Sequence, residues 1–360
     1  MCCRLRTIFK KLFVPIFVVL MQAFAISSAK EAVRPQHHTD EGFRNFPVTE
    51  DSADLGFTFY WKRFISSFSH PDVPQSHYLE ENKALELYGK LQDENTITWI
   101  GQSTLLIKIN GIVILTDPFF SEYASPFFVG PSRYVAPGIS TENLPDIDII
   151  LISHNHYDHL DEDFVESVPN KASINVFVPL KLREFFAEKG YASIHELDWY
   201  ESVKIDDLQI TALPSVHYSS RGVSDKNKTL WCSWAIFSPF GQYYFIGDSA
   251  YSPNLFNQIS EKFGAFDLAM IGIGTYGNRK YGVNNHTTPE EAVLMGRELN
   301  ANALLGIHWG TIDLSDEDPW EPPERFQSAA EKAGYSSDAV WLMRIGETRI
   351  LPERSSIGSQ

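Results

Sequence analysis

The chain has 360 residues, 43% of them hydrophobic and 21% charged, which is the composition of a globular protein rather than of a disordered or fibrous one. Its formal net charge of −16 argues against a general nucleic-acid binder, because phosphate backbones are held by basic surface. The length suffices for one large hydrophobic core or two modest ones.

The first 29 residues predict a secretory signal peptide. Basic residues precede an apolar run from Leu12 to Ile26, and small residues follow that run. The run is shorter than the roughly 20 residues of a membrane span. An uncleaved anchor through residues 12–26 is the alternative. We therefore expect an exported protein that is periplasmic or membrane-associated, and with only Cys232 beyond this segment we expect no disulfide framework.

Residues 30–95 predict an N-terminal extension packed on the main domain. This segment mixes aromatic residues with a polar, helix-like stretch at 76–91. Isolated histidines here and later, His70, His77 and His195, are expected to be ordinary polar residues. The main domain is expected at 96–352, followed by a C-terminal tail at 353–360.

From residue 96 the pattern becomes one of apolar strands, with helix-like segments alternating in the second half. A tight turn is predicted at Asn110–Gly111, between two β-branched runs. Two sheets with helices on their outer faces would bury such strands, which indicates an α/β sandwich. The predicted strands lie within the segments 96–111, 112–120, 147–153, 174–179, 208–215, 234–239, 242–249, 266–274 and 301–310.

Titratable residues follow four of these apolar runs directly. The segment "ILISHNHYDHLD" places three histidines and an aspartate after one strand, and single residues follow three others. Strand ends that share one edge of a sandwich can converge on one site. These seven potential metal ligands are His154, His156, Asp158, His159, His217, Asp248 and His308.

The spacing of these residues indicates a site for two ions. His154 and His156 are two positions apart, so their side chains point the same way in an extended segment. Asp158 and His159 can serve a second ion as the chain turns into a helix near Asp161. Imidazole and carboxylate suit zinc or a similar divalent ion. Seven ligands are too many for one tetrahedral zinc, but they fit two ions that share a carboxylate. We expect Zn²⁺, with Mn²⁺ or Fe²⁺ as alternatives.

The segment "SHNHYDHLD" resembles the H-x-H-x-D-H signature of the metallo-β-lactamase-fold hydrolases. That resemblance implies a four-layer αβ/βα sandwich with an N-terminal extension. It also implies that His154, His156 and His217 hold the first ion, and that Asp248 bridges the two. The second ion would then be held by Asp158, His159 and His308.

A closer resemblance is to one branch, the N-acyl-phosphatidylethanolamine-hydrolysing phospholipases D and their bacterial relatives. It rests on motifs in the same order, among them "TWIG", "LTDPFFSEYASP", "VGPSRY", "GDSAYSP", "HTTPEEAV", "HWGT" and "EPPERF". The likeness runs from about residue 42 to about residue 351. The branch usually has histidine where this chain has Gln102. That position is not a metal ligand in the branch, so we expect metal binding to survive and a nearby hydrogen bond to change. The stretch before His286 is also more polar than in the phospholipase.

The resemblance implies hydrolysis of a phosphodiester by a hydroxide that bridges two metal ions, with Asp158, Asp248 and His286 as catalytic residues. His286 would bind the phosphate or protonate the leaving alkoxide; the alternative is an ordinary neighbour of a helix start. Asp117 closes a fifth apolar strand on the same edge, and we expect it to orient the imidazoles, unless Asp117–Pro118 only forms a turn. The remaining candidates line the substrate cleft and are Gln102, Tyr276 and Trp309.

The leading hypothesis is therefore an enzyme that cleaves N-acyl-phosphatidylethanolamine-like lipids to an N-acylethanolamine and phosphatidate. Its partners would be a phospholipid or other phosphodiester and a membrane surface, with a homodimer as an open option and no nucleic acid expected. One alternative keeps the ions and changes the substrate, as in a lactonase acting on sugar-phosphate lactones; a nuclease ranks below it. A catalytically silent binding protein on the same fold is the alternative from a different class.

Overall fold

The computed structural model describes residues 34–48, 61, 70–127 and 129–354. The predicted signal peptide or anchor thus lies outside the described residues. The described residues from 39 onward belong to one compact unit, and residues 34–38 belong to another. Residues 34–38 contain a turn in which the His38 N–H donates to the Pro35 carbonyl at 3.0 Å. Within these ranges no helix has both the length and the apolar character needed to cross a membrane.

The described residues form two sheets and the helices that cover them. The strands are β1 Thr96–Gly101, β2 Thr104–Ile109, β3 Ile112–Thr116, β4 Ile149–Leu151, β5 Asn175–Pro179, β6 Ser193–Leu197, β7 Ser202–Ile205, β8 Leu208–Leu213, β9 Ser233–Phe237, β10 Gln242–Phe245, β11 Leu268–Gly272, β12 Ala303–Ile307, β13 Val340–Trp341 and β14 Thr348–Ile350. The α-helices are α1 Glu81–Lys90, α2 Glu162–Ser167, α3 Arg183–Ala187, α4 Leu255–Phe263, α5 Pro289–Glu298 and α6 Glu321–Lys332.

Each sheet is mixed and has seven strands, in the orders β14-β1-β2-β3-β4-β5-β6 and β13-β12-β11-β10-β9-β8-β7. The first sheet is antiparallel from β14 to β3 and parallel from β3 to β6. The second is antiparallel from β7 to β10 and parallel from β10 to β13. Because of these directions, β1, β3 and β4 end at one edge of the first sheet, and β8, β10 and β12 end at one edge of the second.

Alternating side chains build three buried layers. Leu105 and Ile107 of β2 pack between the two sheets together with Leu305 of β12. The intervening Leu106 belongs to the layer under α1, α2 and α3, and Leu304 belongs to the layer under α4, α5 and α6. The arrangement confirms the predicted helix–sheet–sheet–helix sandwich.

The predicted turn between β2 and β3 is also confirmed. Asn110 and Gly111 link the two antiparallel strands and have φ values of 51° and 81°. Such left-handed values at both central positions match the right-handed twist of a hairpin, and asparagine and glycine adopt them at low strain.

Residues before β1 pack on the first sheet. Ala84 of α1 is fully buried in the layer that also contains Ile100 and Leu106. Just upstream, His77 lies in an aromatic cluster, with its ring centroid 4.6 Å from that of Trp309. Its Nε2 lies 2.7 Å from the Gly310 carbonyl, to which it donates. His77 is therefore a satisfied buried histidine, as expected, and the boundary of the extension at residue 95 stays a prediction.

This buried histidine predicts a loss of stability in acid. Burial lowers the pKa of His77 to about 4, and the hydrogen bond to Gly310 only partly opposes that shift. In the unfolded chain the histidine has a pKa of about 6.5 and is protonated below that pH, whereas in the folded chain it stays neutral down to about pH 4. Because the unfolded state binds the additional proton, the free energy of unfolding falls as pH drops from about 6.5 to about 4. The contribution is about 3 kcal/mol. We expect His77→Phe to reduce the acid-induced fall in the free energy of unfolding, measured by urea denaturation at pH 7 and pH 4.5; an unchanged difference between the two pH values would contradict the assignment.

Candidate metal centre

The structure brings together the polar residues that follow four strand ends. Loops after β4 and β8 carry His154, His156, Asp158, His159 and His217 to the same place. Short connections after β10 and β12 add Asp248 and His308 there. The four strands end at facing edges of the two sheets, which is why residues up to 154 positions apart converge, as in the case of His154 and His308.

The first group of ligand atoms comes from three histidines and an aspartate. His156 Nδ1 lies 2.8 Å from His154 Nε2 and 3.3 Å from His217 Nε2. Asp248 Oδ2 lies 3.9 Å from His154 Nε2 and 3.6 Å from His217 Nε2. Three imidazole nitrogens and one carboxylate oxygen around one point form a donor set that suits zinc.

The second group has the spacing of a tetrahedral zinc site. His159 Nε2 lies 3.3 Å from both Asp158 Oδ2 and His308 Nε2, and the last two atoms are 3.4 Å apart. Ligands about 2.0 to 2.1 Å from a tetrahedral zinc lie about 3.3 to 3.4 Å from one another. The residues present therefore fit a divalent ion at this position without rearrangement.

Asp248 lies within reach of both groups. Its Oδ2 is 3.1 Å from His159 Nε2, and its Oδ1 is 3.2 Å from His308 Nε2. The same Oδ2 faces His154 and His217 of the first group. One carboxylate thus connects the two positions, which is the arrangement that the resemblance implies.

The two positions differ in the charge of their histidines. Burial lowers the pKa of His156 to about 4 and that of His217 to about 3, so both rings are neutral at pH 7. Burial also opposes the charge on His308, but Asp248 and Asp158 outweigh it and raise the pKa of His308 to about 9. An ion must therefore compete with a proton at the second position.

Asp117 does more than form a turn: it contacts His159 of the second position directly and His154 of the first position through Ser153. Its Oδ2 lies 2.7 Å from Nδ1 of His159, and the same oxygen accepts the Ser153 hydroxyl at 2.6 Å. Ser153 Oγ in turn lies 2.8 Å from Nδ1 of His154. Burial raises the pKa of Asp117, and the hydrogen bonds from His159 and Ser153 oppose that effect. One buried carboxylate therefore orients a ring of each group, directly or through a serine.

His286 lies over the ligand cluster. Its ring centroid is 5.3 Å from that of His217 and 5.2 Å from that of His308, and its Nδ1 is 3.8 Å from Asp248 Oδ2. Burial lowers the pKa of His286 to about 3, so the ring is neutral at pH 7. A neutral imidazole can donate a hydrogen bond to an anion but does not carry a spare proton.

The backbone on both sides of His286 is tied down. The Asn285 carbonyl lies 3.0 Å from Nδ1 of His217 and accepts its hydrogen bond, which leaves Nε2 of that ring for an ion. The His286 carbonyl accepts a hydrogen bond from Arg279 Nη2 at 2.6 Å. Arg279 also pairs with Glu291, which closes the capping box of α5 with Thr288. The start of α5 and a first-group ligand thus fix the position of His286.

Gln102 also belongs to the cluster, because β1 ends at the same edge as β3 and β4. Its amide nitrogen lies 2.9 Å from Asp158 Oδ2 and 2.8 Å from His308 Nε2. Of the other two cleft candidates, Trp309 lines a cavity that His308 also lines, and its ring packs against His77 and Trp99. Tyr276 instead donates to Glu321 at 3.2 Å.

Sequence reasoning missed three residues that support the site. Ser153 immediately precedes His154, and that position was the available signal. Tyr218 follows His217, and its ring centroid lies 4.5 Å from that of His156. Arg221 donates to the carbonyls of Asn155 at 3.2 Å and Leu160 at 2.7 Å, and it thereby holds both ends of the loop that carries four ligands. Nothing in the sequence pairs Arg221 with that loop.

A family model described as the beta-lactamase superfamily domain matches residues 113–309. This range contains the seven convergent ligands and Asp117. The chain belongs to the beta-lactamase superfamily.

Named superfamily relatives agree with a metal-dependent chemistry. The chain is 34% identical over 285 residues to an N-acyl-phosphatidylethanolamine-hydrolyzing phospholipase D of Caenorhabditis elegans, covering 74% of this chain and 80% of that protein. It is 27% identical over 252 residues to a UPF0173 metal-dependent hydrolase of Bacillus cereus, covering 68% of this chain and 99% of that protein. The fold matches that of Igni18, a metallo hydrolase of Ignicoccus hospitalis, with a TM-score of 0.54, 21% identity, and coverage of 71% of this chain and 97% of that one. The chain is therefore a metal-dependent hydrolase of this superfamily.

Proposed function

We propose that this chain is a dinuclear phosphodiester hydrolase of the phospholipase D type, with N-acyl-phosphatidylethanolamine-like lipids as substrates. One observation carries the dinuclear part: the carboxylate of Asp248 reaches both ligand groups. The 34% identity to the worm enzyme supports the bond that is cleaved. Zn²⁺ is the proposed ion because both donor sets are imidazole and carboxylate, with Mn²⁺ and Fe²⁺ as alternatives.

Bound ions of this kind lower the pKa of water and offset the charge of a phosphate, so the chain needs no nucleophile of its own. The chain's contribution is geometry and hydrogen bonding. Asp248 fixes the spacing of the two positions, and Asp117 and Ser153 fix the rings of His159 and His154. His286 is neutral at pH 7 and donates its N–H to a non-bridging oxygen of the phosphate. Of the two roles considered for this residue, the proposal therefore takes phosphate binding and not protonation of the leaving alkoxide.

The neighbouring cavity supports a lipid substrate over the lactonase alternative. Its volume is about 340 Å³, and its lining combines His308 and the carboxylates of Asp313 and Glu317 with apolar side chains that include Trp309 and Ile312. The apolar side chains can pack against an acyl chain, which a sugar phosphate lacks. Export through the apolar segment at residues 12–26 and contact with a membrane surface remain parts of the proposal, since an exported enzyme meets envelope lipids directly.

A lipid panel tests the proposal. The zinc-loaded chain is incubated in H₂¹⁸O with N-acyl-phosphatidylethanolamine, phosphatidylethanolamine, phosphatidylcholine and a sugar-phosphate lactone, and the products are identified by mass spectrometry. We expect an N-acylethanolamine and phosphatidate, with ¹⁸O in the phosphatidate because water attacks phosphorus. Diacylglycerol as product, or hydrolysis of the lactone alone, would reject the phospholipase D assignment.

A further inference from the structure

Gln102 has a strained backbone that three hydrogen bonds hold in place. Its φ is 52°, in the left-handed region that residues with a side chain seldom adopt. Its N–H donates to the Thr311 hydroxyl at 2.9 Å, and its carbonyl accepts the Trp99 indole N–H and the His308 backbone N–H, both at 3.0 Å. A conformation secured this way fixes where the side chain leaves the backbone, and it ties Gln102 to the backbone of His308.

The side chain of Gln102 ends among the ligand atoms of the second position. It is 1% exposed, and its amide nitrogen is the atom 2.9 Å from Asp158 Oδ2 and 2.8 Å from His308 Nε2. Both of those atoms also lie 3.3 Å from His159 Nε2. An ion held by these three atoms would take the lone pairs of Asp158 Oδ2 and His308 Nε2, and it would leave the amide N–H without an acceptor there.

The two ends of a glutamine amide are nearly equal in shape. Rotation about the last side-chain torsion exchanges nitrogen and oxygen, and it places a carbonyl oxygen where the nitrogen lies. A carbonyl oxygen is a ligand for divalent ions, whereas an amide nitrogen that carries two hydrogens is not. Because zinc accepts five ligands as well as four, an added oxygen is compatible with the set of His159, His308, Asp158 and Asp248.

We propose that Gln102 is a further ligand of the second metal position and gives its amide oxygen to the ion held by Asp158, His159 and His308. This inference rests on the dinuclear centre proposed above. It predicts that the side chain at residue 102 sets the affinity for the second ion and leaves the affinity for the first ion unchanged. Within the described part of the chain, the Gln102 amide hydrogen-bonds Asp158 and His308 and none of the first-group histidines His154, His156 and His217.

The test is calorimetric titration of chelator-treated protein with Zn²⁺, repeated with Mn²⁺, and requires no substrate. We expect the natural chain to bind two ions, and Gln102→Leu to weaken the second by about 10- to 100-fold with the first unchanged. Gln102→Glu keeps the size and offers a charged oxygen, so it should bind the second ion more tightly than the natural chain. Gln242→Leu is the matched control, because Gln242 lies at the opposite end of β10 from Asp248; it should bind both ions normally.

Circular dichroism and thermal unfolding precede each titration, and if Gln102→Leu does not fold, Gln102→Glu carries the test alone. Equal second-ion affinity in the natural chain and Gln102→Leu would overturn the inference. So would Gln102→Glu binding the second ion no more tightly than the natural chain, because a residue that only packs or donates hydrogen bonds gains nothing from a carboxylate. A natural chain that binds a single ion would instead reject the dinuclear centre itself, which is a distinguishable result.

Discussion

Asp248→Ala is expected to lower hydrolysis of the lipid substrate at least about a thousand-fold, because both metal positions depend on this carboxylate. The carboxylate oxygens of Asp248 lie 3.1 to 3.9 Å from the Nε2 atoms of histidines in both groups. Its loss removes a ligand from each ion and the only group shared between them in the described residues. We expect elemental analysis of the variant to find fewer than two ions per chain after dialysis.

The expected defect is in metal binding and not in folding. Burial raises the pKa of Asp248, but His159 and His308 outweigh it and hold the pKa well below its usual range, so the carboxylate stays ionised across the pH range of the assay. The matched control is Asp267→Asn: Asp267 is equally buried and accepts hydrogen bonds from Gln242 and Asn302, at the start of β11 away from the ligands. That variant should keep both ions. Two tightly bound ions in Asp248→Ala would show that the carboxylate does not bridge.

The metal ligands were predictable because each follows the end of an apolar strand. Strands that run in the same direction end at the same edge, so the sequence alone brought His154, His217, Asp248 and His308 into one region. The same rule identified Asp117 after β3. Gln102 also obeys it, since it follows β1, but an amide after a strand has no distinctive chemistry in a sequence. The sequence therefore predicts a residue of the substrate cleft and not a metal ligand at this position.

Other parts of the site could not be predicted, because they depend on contacts between distant segments. Arg221 holds a loop that lies about sixty positions earlier, and no spacing rule links the two. Tyr276 and Trp309 follow strands β11 and β12, as ligands do, yet they contact α6 and an aromatic cluster. Left-handed backbone at Thr275 and His308 redirects the chain at these points. Position after a strand thus predicts which edge a residue joins, but local backbone conformation decides which way the side chain turns.

The backbone around His308 shows this dependence. His308 has φ of 59°, and Gly274 lies so close that a Cβ there would be 2.3 Å from the His308 carbonyl oxygen. Thr275 Oγ1 lies 3.3 Å from Nδ1 of His308, which leaves Nε2 facing Asp158 and Asp248. The orientation of this ligand is therefore set by the segment after β11, in addition to its own strand.

His286→Ala is expected to lower kcat about 100- to 1,000-fold while both ions remain bound. The ring lies over the ligand cluster, with Nδ1 3.8 Å from Asp248 Oδ2. Because the ring is neutral at pH 7, it can donate a hydrogen bond to the phosphate. Losing one aligned donor to a developing charge has an effect of this size in other enzymes. Kinetics with the lipid substrate, alongside elemental analysis, measure the change.

His286→Gln separates the two roles open to this residue. Glutamine keeps an N–H donor but cannot exchange a proton, so it should restore part of the activity lost in His286→Ala if the ring binds phosphate. If the ring instead protonates the leaving oxygen, the two variants should be equally inactive, and activity of the natural chain should fall as pH rises through the pKa of His286 in the substrate complex. His195→Ala is the control, because His195 lies on β6 and contacts Asn175 and Ser193. Arg279 donates to the His286 carbonyl and pairs with Glu291, so these contacts fix the position of the His286 ring. If the ring acts as a hydrogen-bond donor, activity depends on that position more than on the pKa of the ring.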